Sequence, residues 1–443
     1  MDKSPISTTD TPIMIQKKSN YRWVILATIF VCYVVSMADR SNVGAVLPFI
    51  KSEFEFSNFQ AGAISSFFFL GYAIIQIPAG YFLGKKGSRG IVSLAILGFS
   101  LFTALMGTAT SAARLILFRL GLGITEGPSP VGMTSTINQW FPAKEKATAT
   151  GFYIASTQLA PIISPPLAIW ITMAYGWRYV FYFFAIPGIV LSIIWYLLVR
   201  SKPEDSKFVS KSELEYIRQT EITVDKAQNT SLGWIDRLIK YKKINALDSN
   251  KKVFTSWNIW GNTFAYFFMN NVLYGMLTWI PSYLVIAKHY SFIKMGFIAA
   301  APSIGGLVGA ICGGWISDKI FLKRRKPTML ITALTTAIMM VILINCPENV
   351  TLMGICLFMT GLCLNIGWPA FTAYLMNLTN RETYPLAISV VNSGGNLGGF
   401  FSPMIIGLIL DATGNYNLAF LYFVVVLVLA FFLILSLVEP AQE

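Results

Sequence analysis

The chain has 443 residues, of which 55% are hydrophobic and 12% charged, and its formal net charge is +13. Soluble domains carry about 25% charged residues, so the composition excludes a soluble globular protein and predicts an all-α integral membrane protein. The basic residues cluster between apolar stretches, which is typical of membrane topology and excludes nucleic acid as a partner.

Residues 1–20 are polar and lack the apolar core of a cleavable signal peptide. Twelve apolar stretches follow, each long enough for a helix that crosses about 30 Å of hydrocarbon. They are 22–50, 58–82, 88–110, 112–139, 146–174, 177–200, 254–287, 292–321, 327–346, 350–377, 383–412 and 416–439. Most Lys and Arg residues outside these spans fall on the side that holds both chain ends, which predicts cytoplasmic N- and C-termini.

One hydrophilic stretch separates the first six spans from the last six. The predicted organisation is an N-terminal tail (1–21), a six-helix bundle (22–200), a cytoplasmic linker (201–253), a second six-helix bundle (254–439) and a C-terminal tail (440–443). In the linker, Ser210 and Glu213 have the spacing of a capping box that opens a short helix.

The residues that usually hold metals or perform catalysis are scattered. Five cysteines, Cys32, Cys312, Cys346, Cys356 and Cys363, show neither metal-ligand nor disulfide spacing, so we interpret them as small buried residues. His289 is the single histidine and lies in a polar loop. The sequence therefore predicts no metal, no cofactor and no enzyme active site.

The first span contains an acid and a base side by side, Asp39 and Arg40. A charge near the middle of a bilayer costs at least about 2.5 to 3.5 kcal/mol on insertion scales, so such residues usually face a cavity and have a function. The alternative is a neutralising ion pair that only holds helices together. The fourth span adds Arg119 and Glu126, which are seven residues apart and therefore share a helix face.

The two halves repeat one another. Gln158 precedes the Ser164-Pro165 pair in span 5 by the same spacing that separates Asn396 from Ser402-Pro403 in span 11. Spans 4 and 10 also share breaks rich in glycine and proline. Parallel repeats of this kind predict a substrate site between the bundles, near the middle of the membrane, that opens alternately to each side.

The repeat fails at the charged residues. The second half has Asn270-Asn271 where the first has Asp39-Arg40, and span 10 offers the neutral Asn365 and Trp368. This difference predicts ion coupling in the first half and neutral hydrogen bonding to a substrate in the second.

Two longer motifs point to a family. Span 2 ends in Gln76-Ile-Pro-Ala-Gly80 and a basic turn from Gly84 to Arg89, and Gly314-Trp-Ile-Ser-Asp318 follows span 8. Together they resemble the repeated signature loop of the major facilitator superfamily. Asp39-Arg40, Arg119-x6-Glu126-Gly-Pro and Gly151-Phe-Tyr resemble its anion:cation symporter family, with bacterial hexonate (galactonate-type) and hexuronate transporters as the nearest templates.

The resemblance implies the major facilitator fold and a monomeric, multi-pass symporter of a bacterial inner membrane. Such a protein imports a small sugar-acid anion such as galactonate together with protons, the coupling ion, and uses no other cofactor. The roles it implies, together with the repeat, are proton coupling for Asp39 and Glu126, substrate binding for Arg40, Tyr72, Gln158, Trp368, Asn392 and Asn396, charge coupling for Arg119, and a cytoplasmic gate for Arg89 and Asp318.

The sequence also departs from the family pattern. Gly84 stands where the signature loop usually has an acid, which weakens a contact between the bundles in this half. Met37 and Ala38 occupy the approach to Asp39 where a tyrosine is common, and Thr157 is an alternative to Gln158. Exchange of hexuronates or other organic anions, and a membrane sensor with a transporter fold, remain the alternative functions.

Overall fold

The computed structural model describes residues 19–218, 231–380 and 383–441, so the predicted tail residues 1–18 and 442–443 and linker residues 219–230 lie outside the described ranges. Within these ranges the chain forms eighteen α-helices, a 3₁₀ turn at Pro203–Asp205 and a π-helical segment at Ile316–Ile320. The helices are α1 (Tyr21–Phe54), α2 (Asn58–Lys86), α3 (Ser88–Gly107), α4 (Ala112–Glu126), α5 (Pro128–Trp140), α6 (Ala143–Tyr175), α7 (Trp177–Leu198), α8 (Lys211–Arg218), α9 (Trp234–Leu238), α10 (Asn250–Thr255), α11 (Trp257–Ile286), α12 (Phe292–Ile298), α13 (Ala301–Trp315), α14 (Lys326–Ile344), α15 (Val350–Ile366), α16 (Trp368–Leu378), α17 (Tyr384–Thr413) and α18 (Tyr416–Ser436).

All twelve predicted spans are helical. Ten helical segments are both long and apolar enough to cross a membrane. The other two spans are α11, which is 30 residues long, and the pair α4 and α5, which is interrupted at Gly127. The predicted all-α membrane architecture is therefore confirmed.

Three spans consist of two helices each. The breaks in spans 4 and 10 lie at Gly127 and Gly367, each followed within two residues by a proline at the start of the next helix. Proline suits a helix start because its missing N–H has no partner there in any case. The break of span 8 between α12 and α13, with Pro302 just after it, was not predicted.

The spans form two six-helix bundles. In the first, α1 packs on α6, α2 on α4, and α3 on α7; in the second, α13 packs on α15 and α14 on α18. The bundles meet where α2 packs on α17, α1 on α11, and α6 on α12 and α13. These pairings relate equivalent helices of the two repeats, so a central interface runs between the bundles.

Both ends of the described chain lie on one face of the molecule, the termini face. The backbone N–H of Tyr21 donates to Glu213 of the linker at 3.0 Å, and the backbone N–H of Lys242 in the linker donates to the carbonyl of Glu439 at 3.1 Å. The opposite side, the far face, holds the turn between α1 and α2 and the end of α17.

The two bundles touch closely at the far face. Asp411 accepts three hydrogen bonds of 2.8 Å from Asn58 and Phe59, which start α2 in the other bundle. A Cβ on Gly62 would lie 2.1 Å from the carbonyl oxygen of Pro403, and one on Gly407 would lie 2.4 Å from that of Asn58. Glycine is therefore required at both positions for this approach.

The termini-face ends of the same helices have free space. A Cβ on Gly80 or Gly84 of α2, on Gly151 of α6 or on Gly314 of α13 would meet no atom within 4 Å. The structure is therefore closed at the far face and open at the termini face.

We expect Gly62→Val to separate the bundles at the far face, because the added carbons overlap the backbone of Pro403. Overpacking costs about 1 to 3 kcal/mol, enough to shift a balanced two-state equilibrium about fivefold to a hundredfold. Spin labels at Glu55 and Asn415, in exposed far-face turns of opposite bundles, would report a longer distance. Gly80→Val, on the same helix in open space, is the control, and an unchanged distance in Gly62→Val would refute the expectation.

The linker is attached to the first bundle by Glu213. Its N–H donates to the Ser210 side chain at 3.2 Å, so α8 begins as predicted. The carboxylate does not complete the predicted capping box; it accepts from the backbone N–H groups of Tyr21 and Arg22 and pairs with the Arg22 guanidinium at 3.1 Å. Unpaired N–H groups at the start of α1 and a guanidinium are stronger partners than the N–H of Ser210.

A second buried acid, Glu439, holds the C-terminal segment on the second bundle. It accepts 2.8 Å hydrogen bonds from the backbone N–H groups of Arg325 and Lys326 at the start of α14. Burial raises the pKa of Glu439 to about 7, although those N–H groups favour its ionised form.

The raised pKa of Glu439 predicts a pH-dependent stability. The folded chain holds this proton more tightly than the unfolded chain, so stability falls as the pH rises from about 4.5 to about 7. We expect Glu439→Gln to flatten the fall of the unfolding temperature between pH 5 and pH 8, an effect of up to about 3 kcal/mol. Glu215→Gln, at an exposed linker position, is the control, and equal slopes in wild type and Glu439→Gln would contradict the expectation.

Candidate functional site

Four charged residues lie together inside the first bundle. Asp39 and Arg40 lie in the middle of α1, and Arg119 and Glu126 lie on the facing side of α4; all four are buried, with Glu126 fully so. If both acids are ionised, the two positive and two negative charges balance. A balanced group is the arrangement in which ionised residues are tolerated in a membrane interior.

Glu126 is the partner of Arg40. The Arg40 Nε donates to Glu126 Oε1 at 2.7 Å, and Nη2 lies 2.5 Å from the same oxygen. The Ser36 hydroxyl also donates to Oε1 at 2.7 Å, while Oε2 has no hydrogen-bond partner. One oxygen of Glu126 thus holds two groups of α1, and the other is free to accept a proton or a further donor.

Arg119 does not pair with Glu126, as the sequence had suggested. Its Nη1 donates to the backbone carbonyl of Asp39 at 3.1 Å and its Nε to the backbone carbonyl of Ile64 at 3.2 Å. The reason is the antiparallel packing of α1 and α4. Glu126 lies level with Ser36 and Arg40, and Arg119, two turns away, lies level with Asp39.

The Asp39 carboxyl is the exceptional group of this cluster. Its side chain is buried, and neither of its oxygens has a hydrogen-bond partner. Removing a carboxylate from water without a partner is costly, so Asp39 is poised to bind a proton.

Aromatic rings cover the two guanidinium groups. The Phe68 ring centre lies 5.0 Å from the carbon of each guanidinium, Arg40 and Arg119. Tyr72, predicted to bind substrate, is buried with its ring centre 4.6 Å from the Arg40 guanidinium. Rings at these distances stabilise a cation by about 1 to 2 kcal/mol where water is excluded, so Arg40 is held charged and in place.

Amide side chains face each other across the central interface. Gln158 Nε2 donates to Asn365 Oδ1 at 3.1 Å, and Asn396 Nδ2 lies 3.5 Å from Gln76 Oε1. Each pair joins one residue of the first bundle to one of the second, at mid-depth. Gln158 and Asn396 were predicted as substrate ligands; here they contact the opposite bundle.

The other predicted ligands of the second bundle lie close to these pairs. Trp368 is half-buried, with its ring centre 5.2 Å from that of Tyr266. Asn392 is half-buried one turn before Asn396 on α17. Both positions border the interface, and neither touches Arg40.

A cavity of about 540 Å³ extends from the Gln158–Asn365 pair towards the far face. Its polar lining comes from Ser41, Gln158, Ser303 and Asn365, and the remaining lining is mostly apolar. The cavity thus touches α1, α6, α11, α13 and α15, which belong to both bundles. A small polar molecule could bind here between them.

Several residues near the site were not assigned from the sequence. Tyr33 stacks on Tyr153 with a centre distance of 4.5 Å, and Tyr274 lies 4.1 Å from Phe69 across the interface. Gln76 faces Asn396. Tyr33 lies six residues before Asp39, about two turns away on the same side of α1, which is the signal that could have identified it.

The predicted gate residues stay within their own bundles. The Arg89 Nε donates to the Tyr196 carbonyl at 2.9 Å, and Asp318 pairs with Arg325 at 2.6 Å. This arrangement fits the open termini face, where the ends of α2 and α13 do not meet.

Comparison with known proteins agrees with this geometry. A model of the Major Facilitator Superfamily matches residues 29–350 and 295–443. The chain is 29% identical to "Probable galactarate/D-glucarate transporter GudP" of Bacillus subtilis (strain 168), over 96% of this chain and 94% of that protein. It is 30% identical to the "D-galactonate transporter" of Escherichia coli O6:H1, over 91% and 93%.

The fold also matches a solved structure. A bacterial homologue of the human lysosomal transporter Spinster, in an inward-facing and occupied conformation, superimposes with a TM-score of 0.77. That match has 17% sequence identity and covers 94% of this chain and 97% of the other. The chain therefore belongs to the major facilitator superfamily and is a membrane transporter, not an enzyme.

Proposed function

We propose that the chain is a proton-coupled symporter that imports a sugar-acid monoanion, a hexonate such as galactonate, across a bacterial inner membrane. Both termini lie in the cytoplasm, so the termini face opens to the cytoplasm and the far face to the outside. Alternating access moves the site at the bundle interface from one side to the other.

The balanced charge of the buried cluster carries this proposal. A substrate carboxylate bound to Arg40 competes with Glu126, which already occupies the guanidinium. Adding an anion to a neutral cluster leaves one excess negative charge in the membrane interior, which is costly. Uptake of a proton by Glu126 or Asp39 restores neutrality and frees Arg40 for the substrate.

Proton coupling also solves the problem of membrane potential. An inside-negative potential opposes anion entry by about 2.3 kcal/mol per charge per 100 mV. One proton carried with each monoanion makes the step electrically neutral. The outer proton gradient then drives accumulation.

The distribution of cations favours a monocarboxylate. Arg40 and Arg119 both belong to the first bundle, and the spans of the second bundle contain no Lys or Arg away from their ends. A second carboxylate at the far end of an aldarate such as glucarate would face amides only, whereas the hydroxyls of a hexonate match Gln158, Asn365 and Asn396. An amide gives a carboxylate weaker hydrogen bonds than a guanidinium does.

Uptake into proteoliposomes with an imposed pH gradient tests the proposal. The panel of labelled substrates is D-galactonate, L-galactonate, gluconate, glucuronate and glucarate. We expect acid-outside liposomes to accumulate one hexonate, and collapse of the gradient to abolish accumulation.

Each other outcome supports a different function. Accumulation of glucuronate or glucarate would replace the hexonate with another sugar acid. Exchange without any effect of the gradient would support an anion exchanger. Specific binding without either transport activity would support a sensor.

A further inference from the structure

A buried hydroxyl on α3 accompanies the unpartnered Asp39 carboxyl, and this inference rests on the proton-coupling role proposed for Asp39. Thr103 is 1% exposed and its Oγ1 has no hydrogen-bond partner. The hydroxyl faces the Asp39 carboxyl. Two buried groups that could hydrogen-bond thus lie near each other without a well-formed bond.

The missing bond is unusual for a threonine in a helix of this protein. Buried hydroxyls elsewhere donate to the carbonyl one turn earlier in their own helix; examples are Ser100, Thr172, Thr336 and Thr360, at 2.6 to 2.7 Å. Ser100 lies on the same helix as Thr103. The Thr103 hydroxyl forgoes this local partner, although it is buried and the partner is one turn away.

The charged surroundings of Asp39 come from two helices. Arg40 is its neighbour on α1, and α4 contributes Glu126 and Arg119. Glu126 disfavours a second negative charge nearby, and Arg119 favours one. Since Arg119 bonds to the backbone of Asp39 and not to its carboxylate, Thr103 is the neutral donor on the remaining side.

We propose that Thr103 is a positioning residue for Asp39: its hydroxyl donates to the ionised carboxylate and thereby sets the pH at which Asp39 releases its proton. When Asp39 is protonated, the bond is lost or reversed, because a carboxylic acid can donate to the threonine oxygen. Thr103 lies four residues from the far-face end of α3, on the side from which protons enter.

Infrared titration of the purified protein in liposomes tests this role without any substrate. The carbonyl stretch of protonated Asp39 is the band that disappears in Asp39→Asn. We expect its titration midpoint to move about one pH unit higher in Thr103→Val, because the ionised form loses a charge-assisted hydrogen bond. Thr103→Ser keeps the hydroxyl and should restore the wild-type midpoint.

Thr172→Val is the matched control, since Thr172 is a buried threonine that donates to its own helix. An identical midpoint in wild type, Thr103→Val and Thr172→Val would overturn the role of Thr103, as would the absence of any titrating Asp39 band. If Thr103→Val does not fold, Thr103→Ala removes the same hydroxyl without requiring more space.

The two proposals fail differently. Absence of gradient-driven uptake of the substrate panel in wild type would refute symport, while the infrared midpoints would still decide the role of Thr103. Wild-type uptake of D-galactonate with an unshifted Thr103→Val midpoint would refute only the role of Thr103.

Discussion

Asp39→Asn is expected to abolish accumulation driven by a pH gradient while retaining exchange of substrate across the membrane. Asparagine has nearly the shape of aspartate, and the Asp39 carboxyl oxygens have no hydrogen bonds to lose. The Arg40–Glu126 pair remains intact, so the substrate site and the movement of the bundles survive. What is lost is a side chain that can carry a proton.

The size of the effect follows from the gradient. One pH unit is worth about 1.4 kcal/mol per proton, which supports about tenfold accumulation for each coupled proton. We expect the ratio of inside to outside substrate to fall to about one in Asp39→Asn under the same gradient. Counterflow, which exchanges labelled for unlabelled substrate at equal pH, should stay within a few-fold of wild type.

A neutralised acid outside the membrane interior provides the control. Asp248 is an exposed linker residue that pairs with Lys252, and Asp248→Asn should accumulate substrate as the wild type does. Undiminished accumulation by Asp39→Asn would remove Asp39 from the proton path and leave Glu126 as the coupling acid.

The sequence predicted the architecture well because the membrane imposes strong rules. A span needs about 20 apolar residues, and glycine with proline weakens a helix wherever they occur. These rules suffice for the twelve helical spans and for the breaks at Gly127 and Gly367. The same rules identified Asp39, Arg40, Arg119 and Glu126 as a group, since charges inside a span are rare.

The pairing within the group depended on information that a single chain does not display. Whether Arg40 or Arg119 reaches Glu126 is decided by how far α1 slides along α4, and that register is set by packing over the whole bundle. The contacts of Gln158 with Asn365 and of Gln76 with Asn396 also depend on the conformation, because they join the two bundles. No sequence pattern specifies which face is closed.

Arg40→Gln is expected to lower the affinity for the sugar acid about a hundredfold or more. A guanidinium can bind a carboxylate through two parallel charge-assisted hydrogen bonds, each worth about 1.5 to 3 kcal/mol. Arg40→Lys keeps the charge but not the planar fork or the stacking against Phe68 and Tyr72, so we expect a smaller loss, about tenfold. Equilibrium binding to the purified protein measures both.

Loss of Arg40 also leaves Glu126 buried beside a neutral group, which destabilises a protein by about 3 to 5 kcal/mol. The double variant Arg40→Gln with Glu126→Gln removes that charge and should recover the thermal stability but not the binding. Arg178→Gln is the matched control, because Arg178 forms a partly exposed ion pair with Glu53 that contributes less than about 1 kcal/mol.

Glu126→Gln alone separates the two roles of the arginine. With its carboxylate partner neutral, Arg40 is free in every state, so we expect substrate binding that is at least as tight as in wild type and no longer depends on pH. Binding by the double variant that equals the wild type would show that the substrate carboxylate contacts another group. Binding by Glu126→Gln that still weakens at high pH would show that Asp39, and not Glu126, competes with the substrate for its cation.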